Sequence, residues 1–279
     1  MKDIAPTLLA SRSSLPPEGA GLARGGPSRR PLVHERTRIK ICGLTREEDV
    51  DAAVAAGADA VGFVLYEPSA RYVSAERAAE LASRLPPFVT PVLLFVNAKA
   101  TDIVAACARI HCATVQFHGD ETLADCLQIA RPFIRAARIP IAAETPYAAL
   151  NFDLVKFAND YNQAQAILLD AHVEGFGGGG KTFNWSLLPP SVNAHLVLSG
   201  GLTPANVGDG MQQVRPRGKT LAVDVSSGVE ESLPNGSPRK GIKSPELISQ
   251  FIAAVRAADV LIANQLAERA FNHVRVPTT

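Results

Sequence analysis

The 279-residue sequence predicts an α/β protein: a single (β/α)8 barrel of the TIM type, preceded by a disordered N-terminal extension. From Arg38 onward, short β-rich runs alternate with Ala- and Leu-rich helical stretches, the pattern of βα units wound around a parallel sheet. Eight such units in about 230 residues match the size of one closed barrel. Polar residues and glycines gather where the β-rich runs end, which is where a barrel carries its chemistry.

The strands are expected at Arg38 to Cys42, Ala60 to Leu65, Val92 to Val96, Thr114 to Phe117, Phe133 to Ala137, Ala166 to Asp170, Leu196 to Ser199 and Leu221 to Val225. Between them, Thr45 reads as the cap of a helix over Glu47 to Ala56, with Glu48 three residues on and Gly57 closing it. Ser74 opens the next, through Arg77 to Leu85; others cover Thr101 to Ile110 and Asp120 to Ala130. Thr203-Pro204 opens a stretch to Met211, and the last helix begins near Ser244-Pro245. Phe152 to Phe157 has the composition of a strand, but a ninth strand breaks the count, so it is placed on the fifth helix. A doubly wound open sheet is the alternative architecture, weakened by the lack of GxGxxG after the first strand.

Residues 1–36 are a Gly/Pro/Ser/Arg mixture that cannot bury enough apolar surface to offset the entropy of ordering, and read as a disordered low-complexity extension. A short targeting or interaction arm is the rival reading. The barrel takes residues 37–262, and residues 263–279 form a partly helical C-terminal tail.

The 28 basic and 27 acidic residues leave a net charge of +1, too weak a field to recruit nucleic acid or an anionic membrane surface. No apolar run approaches the roughly 18 residues of a bilayer span. The N-terminus lacks the long apolar core of a secretory signal, and four cysteines without CxxC spacing suit a reducing compartment. These readings point to a cytoplasmic protein, monomeric or homodimeric, whose partner is a small molecule. Cys107, Cys112 and Cys126 are read as small buried apolar residues. Cys42, at the end of the first strand, is read as reactive.

The other strand ends are also polar: Arg71 follows strand two, Asn97 strand three, Gln116 and His118 belong to strand four, Asp170 to strand six, Ser199-Gly200-Gly201 to strand seven, and Asp224 with Ser226-Ser227-Gly228 to strand eight. Glycine lets backbone N–H groups close on an anion, and loops seven and eight of a barrel commonly bind phosphate. A phosphate site is therefore expected from Gly178, Gly179, Gly180, Lys181, Gly200, Gly201, Ser226, Ser227 and Gly228. Taken singly, each segment reads equally well as a tight turn. The Gly177 to Lys181 stretch does not meet the P-loop pattern, because Phe183-Asn184-Trp185 follows in place of the required strand–helix context.

The strings Ile39-Lys40-Ile41-Cys42-Gly43-Leu44-Thr45, Ser69-Ala70-Arg71-Tyr72-Val73-Ser74, Val115-Gln116-Phe117-His118-Gly119, Leu168-Leu169-Asp170, Gly180-Lys181-Thr182-Phe183-Asn184-Trp185, Leu198-Ser199-Gly200-Gly201-Leu202 and Val223-Asp224-Val225-Ser226-Ser227-Gly228-Val229-Glu230 closely resemble the phosphoribosylanthranilate isomerase family. The resemblance runs from residue 38 to about residue 258. It implies an aldose–ketose isomerase of tryptophan biosynthesis that carries out an Amadori rearrangement of N-(5-phosphoribosyl)anthranilate without metal or organic cofactor. It also implies that Cys42 is the general base, Asp170 the general acid and Arg71 the partner of the anthranilate carboxylate. Gly179 departs from the Ser or Thr common in the family, and Asn184 from the common Asp, which leaves the details of loop six open. The segment Ser232 to Lys240 looks like an enlarged eighth loop that alters the rim of the phosphate site.

The chemistry agrees with those roles. One proton must reach the furanose ring oxygen and one must leave C2, so one acid and one base suffice. A thiol titrates ordinarily near 8.5, so Cys42 needs a nearby positive charge; Lys40, two residues back and on the same side of the strand, is the candidate. Lys40, Gln116, His118 and Asp224 are expected to stand behind the residues that touch the ligand; His118 alternatively caps a helix or serves as a structural donor, and Asp224 is read as orienting a loop or a sugar hydroxyl. Asp170 alternatively caps the following helix, and Arg71 is alternatively a solvated surface charge. No metal is expected, since the six histidines form neither HxH nor HExxH. Indole-glycerol-phosphate synthase and pentose-phosphate epimerase barrels are rivals, but each requires catalytic residues not evident here. A catalytically silent barrel that senses a ligand is the rival of another class.

Overall fold

The computed structural model describes residues 36–140, 152–172 and 182–274. All but Arg36 of the N-terminal extension, the Gly178 to Lys181 segment and residues 275–279 lie outside the described residues. Eight strands, β1 (Arg38–Cys42), β2 (Ala60–Val64), β3 (Thr90–Phe95), β4 (Thr114–Phe117), β5 (Phe133–Pro140), β6 (Ala166–His172), β7 (Leu196–Leu198) and β8 (Leu221–Val225), pair in chain order. Every pairing is parallel, and β8 returns to β1, closing the barrel. Seven α-helices accompany them among the described residues: α1 (Glu47–Ala56), α2 (Ala75–Ala82), α3 (Ala100–Arg109), α4 (Leu123–Leu127), α5 (Leu154–Asp160), α6 (Val207–Val214) and α7 (Pro245–Val274). The segment read as helical despite its strand-like composition does enter α5, which Asp153 opens by accepting from Lys156 N.

Strand alternation divides the side chains into two sets. Ile39, Ile41, Val61, Phe63, Leu93, Phe95, Val115 and Phe117 face outward into the main core between strands and helices. Inside the barrel lie two small apolar clusters, Cys42 with Val64, Leu94 and Val96, and Ala136 with Leu168 and Val197. The interior is thus packed with side chains, and its polar members lie toward the carboxyl ends of the strands.

Several helix boundaries differ from expectation. Thr45 does not cap α1: its hydroxyl donates to Gly241 O at 2.6 Å, and the N-cap is Arg46, whose side chain makes no capping bond. Gly57 does close α1, in the left-handed region at φ 95°. Ser74 caps α2 as expected, but α2 stops at Ala82. The fourth helix begins only at Leu123, because Thr122 and Asp125 form a reciprocal capping box there. The α6 helix begins at Val207, after a turn in which Asn206 Oδ1 accepts from Thr203 N. Residues 263–274 continue α7. The enlarged eighth loop is an antiparallel hairpin, β9 (Glu230–Ser232) with β10 (Pro238–Lys243). Cys107 and Cys126 are buried, as expected of small apolar residues, whereas Cys112 is exposed.

Candidate active site

Cys42 ends β1 with its side chain inside the barrel and only 4% exposed. Gly62, its register partner on β2, makes room: a Cβ there would stand 2.7 Å from Cys42 Sγ and 3.0 Å from Lys40 Cε. Any side chain at position 62 would displace the thiol or the lysine. Lys40 lies opposite Asp224 in the β1–β8 register, and its Nζ donates to Asp224 Oδ1 at 2.8 Å. The second Asp224 oxygen accepts from Ser199 Oγ at 3.0 Å. Burial pulls against the Lys40 charge, but Asp224 and Cys42 outweigh it and hold the ammonium above its usual range. Burial also pushes the Cys42 thiol up; Lys40 opposes this, Asp224 reinforces it, and the net displacement is upward. The expected lysine is therefore beside the thiol, but its charge is shared with a carboxylate.

Asp170 lies toward the carboxyl end of β6, three strands around the barrel from β1 by way of β8 and β7. Among the described residues it caps no helix; Oδ2 stands 3.0 Å from His118 Nε2. His118 is fixed just beyond β4 by its own N–H, which donates to Phe95 O at 2.9 Å. Its Nδ1 lies 3.1 Å from Nε2 of the fully buried Gln116.

Arg71 is not a solvated surface charge. The turn carrying it is tied back to β2 by a Val64–Tyr72 bridge, and Arg71 N donates to Ser69 Oγ at 3.2 Å. Its guanidinium makes a two-pronged contact with Glu230, Nε to Oε1 at 2.7 Å and Nη2 to Oε2 at 2.8 Å. Glu230 also accepts from Gly241 N at 2.8 Å and from Lys243 Nζ at 3.2 Å. Lys243 Nζ in turn donates to Ser226 O at 2.9 Å, joining this cluster to loop eight. Burial works against the Glu230 charge, yet Arg71 and Lys243 hold its carboxyl below the usual range. Burial and the Arg71 charge lower Lys243, against the pull of Glu230. The Cβ position of Gly43 lies 2.6 Å from Arg71 Cδ and 3.1 Å from Ser226 Oγ, so the Arg71 cluster borders the backbone that follows Cys42.

Gly200 and Gly201 follow β7 with positive φ (79° and 64°). Ser226 follows β8, and Ser227 and Gly228 belong to a 3-10 turn. A Cβ on Gly228 would fall 1.9 Å from Leu202 O, so only glycine lets loops seven and eight meet here. The remaining predicted phosphate residues, Gly178, Gly179, Gly180 and Lys181, lie outside the described residues. Asn184 Oδ1 accepts from Ser186 N at 3.1 Å, capping a short 3-10 turn. Among the described residues no His/Cys/Asp/Glu cluster could hold a metal ion.

Sequence reading missed Lys243 and gave Glu230 no role. Glu230 pairs with Arg71, 159 residues away, and Lys243 reaches that pair across the β9–β10 hairpin, so no local spacing marks either one.

The sequence profile of the N-(5'phosphoribosyl)anthranilate (PRA) isomerase family matches residues 39–254. The N-(5'-phosphoribosyl)anthranilate isomerase of Methylibium petroleiphilum is 58% identical over 228 residues, covering 82% of this chain and 98% of the relative. A crystal structure of a phosphoribosyl anthranilate isomerase in complex with reduced 1-(o-carboxyphenylamino)-1-deoxyribulose 5-phosphate is 35% identical, with TM-score 0.60, over 79% of this chain and 99% of the other. A second crystal structure, described as mutually generated monomers of the dimeric enzyme from Thermotoga maritima, has the same identity, TM-score and coverage.

Proposed function

The chain belongs to the N-(5'-phosphoribosyl)anthranilate isomerase family, and from that membership we propose that it converts N-(5-phosphoribosyl)anthranilate to 1-(2-carboxyphenylamino)-1-deoxyribulose 5-phosphate in tryptophan biosynthesis. The observation that carries this reading is the pairing of a buried thiol, Cys42, with a buried carboxyl, Asp170, at the same end of one barrel.

Asp170 gives a proton to the furanose ring oxygen, the C1–O bond breaks, and the nitrogen lone pair forms a protonated Schiff base. The Cys42 thiolate takes the C2 proton, the C–H electrons form the C1–C2 double bond, and the iminium electrons return to nitrogen. The enolamine then takes a proton from solvent at C1 and releases its hydroxyl proton to solvent to become the ketone, while Cys42 gives its proton to solvent and Asp170 regains one. Lys40 supplies the positive charge beside the thiolate, and Asp224 and Ser199 hold Lys40 in place. Arg71, held by Glu230 through Nε and Nη2, offers Nη1 to the anthranilate carboxylate. Backbone N–H groups of Gly200, Gly201, Ser227 and Gly228, with Ser226 and the Gly178 to Lys181 segment, receive the phosphate. None of these steps calls for a metal or an organic cofactor.

The test is turnover in heavy water with analysis of the product. One deuteron on C1 of the ketose is expected; a product without it, or no ketose at all, contradicts the reading.

A homodimer is the assembly that the opposite mouth of the barrel favours. Phe88 is 100% exposed there, in the left-handed region at φ 72°, beside a cavity of about 560 Å³ lined by Ile39, Val92, Ile134 and Val197 among others. An exposed aromatic ring beside an opening lined by apolar residues together with Arg38, Asp59 and Gln165 supports burial of this face against a second copy. Residence in the cytoplasm is supported by four cysteines that form no disulfide. No helix of the described residues is long and apolar enough to cross a membrane.

A further inference from the structure

Gln116, His118 and Asp170 form a hydrogen-bonded chain inside the barrel: Gln116 Nε2 to His118 Nδ1 at 3.1 Å, then His118 Nε2 to Asp170 Oδ2 at 3.0 Å. Gln116 Oε1 is buried and has no partner among the described residues. The donors and acceptors in this chain can be counted. An amide nitrogen only donates, so in this arrangement Nδ1 accepts, the ring hydrogen is on Nε2, and Asp170 receives it as a carboxylate. That state holds one proton on the His118–Asp170 pair.

An acid needs a second proton. With two, Nδ1 carries a hydrogen in either form of the pair: neutral imidazole accepting at Nε2 from the Asp170 hydroxyl, or imidazolium facing carboxylate. Nδ1–H then requires an acceptor, and a half-turn of the Gln116 carboxamide brings the unpartnered Oε1 to it. The two ends of the Gln116 amide thus match the two proton states of the pair. A hydrocarbon side chain matches neither, and a carboxylate matches only the protonated one.

We propose that Gln116 is a positioning residue that, through the tautomer of His118, sets whether Asp170 carries the proton it gives to the substrate. The inference rests on the acid role of Asp170 proposed above. When the O–H bond of Asp170 breaks and the ring oxygen takes the proton, His118 Nε2 is left facing a carboxylate. Solvent returns the proton to the pair, and the Gln116 amide turns with each change of state. Among the described residues, other charged or titratable groups on the inward side of the strands are Lys40 and Cys42 on β1, Arg138 on β5 with its partner Asp120, and Asp224 on β8. The neighbouring inward positions Val64, Leu94 and Val96 are apolar.

The test follows the 15N signals of the His118 ring against pH in the full chain, with the signals assigned by loss in His118→Asn. Wild type is expected to show hydrogen on Nε2 when neutral. Gln116→Glu, nearly the same shape, should keep the ring doubly protonated to a pH higher by about one unit or more, and Gln116→Leu should move it the other way. One half-point of the kcat/KM pH profile should move with the ring, while the other stays. If the ring signals and both half-points are unchanged in Gln116→Glu and in whichever other variant folds by circular dichroism, the proposal is overturned. The ring measurement needs no turnover, so an inactive wild-type chain with a responsive ring would refute the isomerase reading and leave the coupling of Gln116 to His118 intact.

Discussion

Lys40 Nζ lies 2.8 Å from Asp224 Oδ1 and beside Cys42, so one ammonium serves both a carboxylate and a thiol. Asp224 therefore works against the thiolate in two ways, by its own charge and by its hold on Lys40. Asp224→Asn is expected to move the Cys42 titration to lower pH, and Lys40→Met to higher pH, both read from thiolate ultraviolet absorbance or alkylation rate. The reverse order contradicts this division of charge. A thiol raised by folding stabilises the chain fully below its unfolded value of about 8.5 and loses that contribution as pH rises through the folded value. Alkaline destabilisation should accordingly be weaker in Asp224→Asn.

Arg71 and Glu230 meet with side-chain exposures of 9% and 0%, and Lys243, at 0%, shares the same carboxylate. Removing one partner of such a cluster leaves buried charge unanswered, typically at about 3–5 kcal/mol. Glu230→Gln is expected to lose stability on that order in urea unfolding. It should also raise the KM for the aminoribose phosphate about tenfold, with a smaller fall in kcat, because Arg71 loses its fixed orientation. An unchanged KM would mean that Arg71 does not hold the substrate.

The strand positions were legible because each is a short apolar run closed by Gly, Pro or a polar residue, and β1, β4 and β8 fall where those runs place them. Caps were less legible. Thr45 has the right residue type for a cap, but Gly241, far away in the chain, provides its acceptor. Cys42 and Asp170 stood out because reactive side chains ended apolar runs. The links of Arg71 to Glu230 and Lys243, and of His118 to Asp170, join elements whose closeness follows only from closing the barrel.

Phe88 is expected to lie at a two-fold interface. Phe88→Glu should therefore shift sedimentation from dimer toward monomer while leaving kcat within about twofold, since the change is at the mouth opposite Cys42. A wild-type chain that sediments as a monomer at all concentrations contradicts the homodimer reading.

The family match begins at Ile39, while Thr37 is already fixed by its N–H to Asp259 Oδ2 at 3.0 Å. Deleting residues 2–35 should leave kcat and KM unchanged. A large loss of kcat would give the extension a part in catalysis.

Isomerisation by Cys42 and Asp170 can be followed through substrate fluorescence. Purified chain in a metal chelator should consume N-(5-phosphoribosyl)anthranilate with steady loss of its fluorescence. Cys42→Ser and Asp170→Asn, folded by circular dichroism, should each be slower by at least about a hundredfold. A wild-type chain that leaves the substrate unconsumed, or a variant that turns over at near-normal rate, would rule out catalysis by this pair.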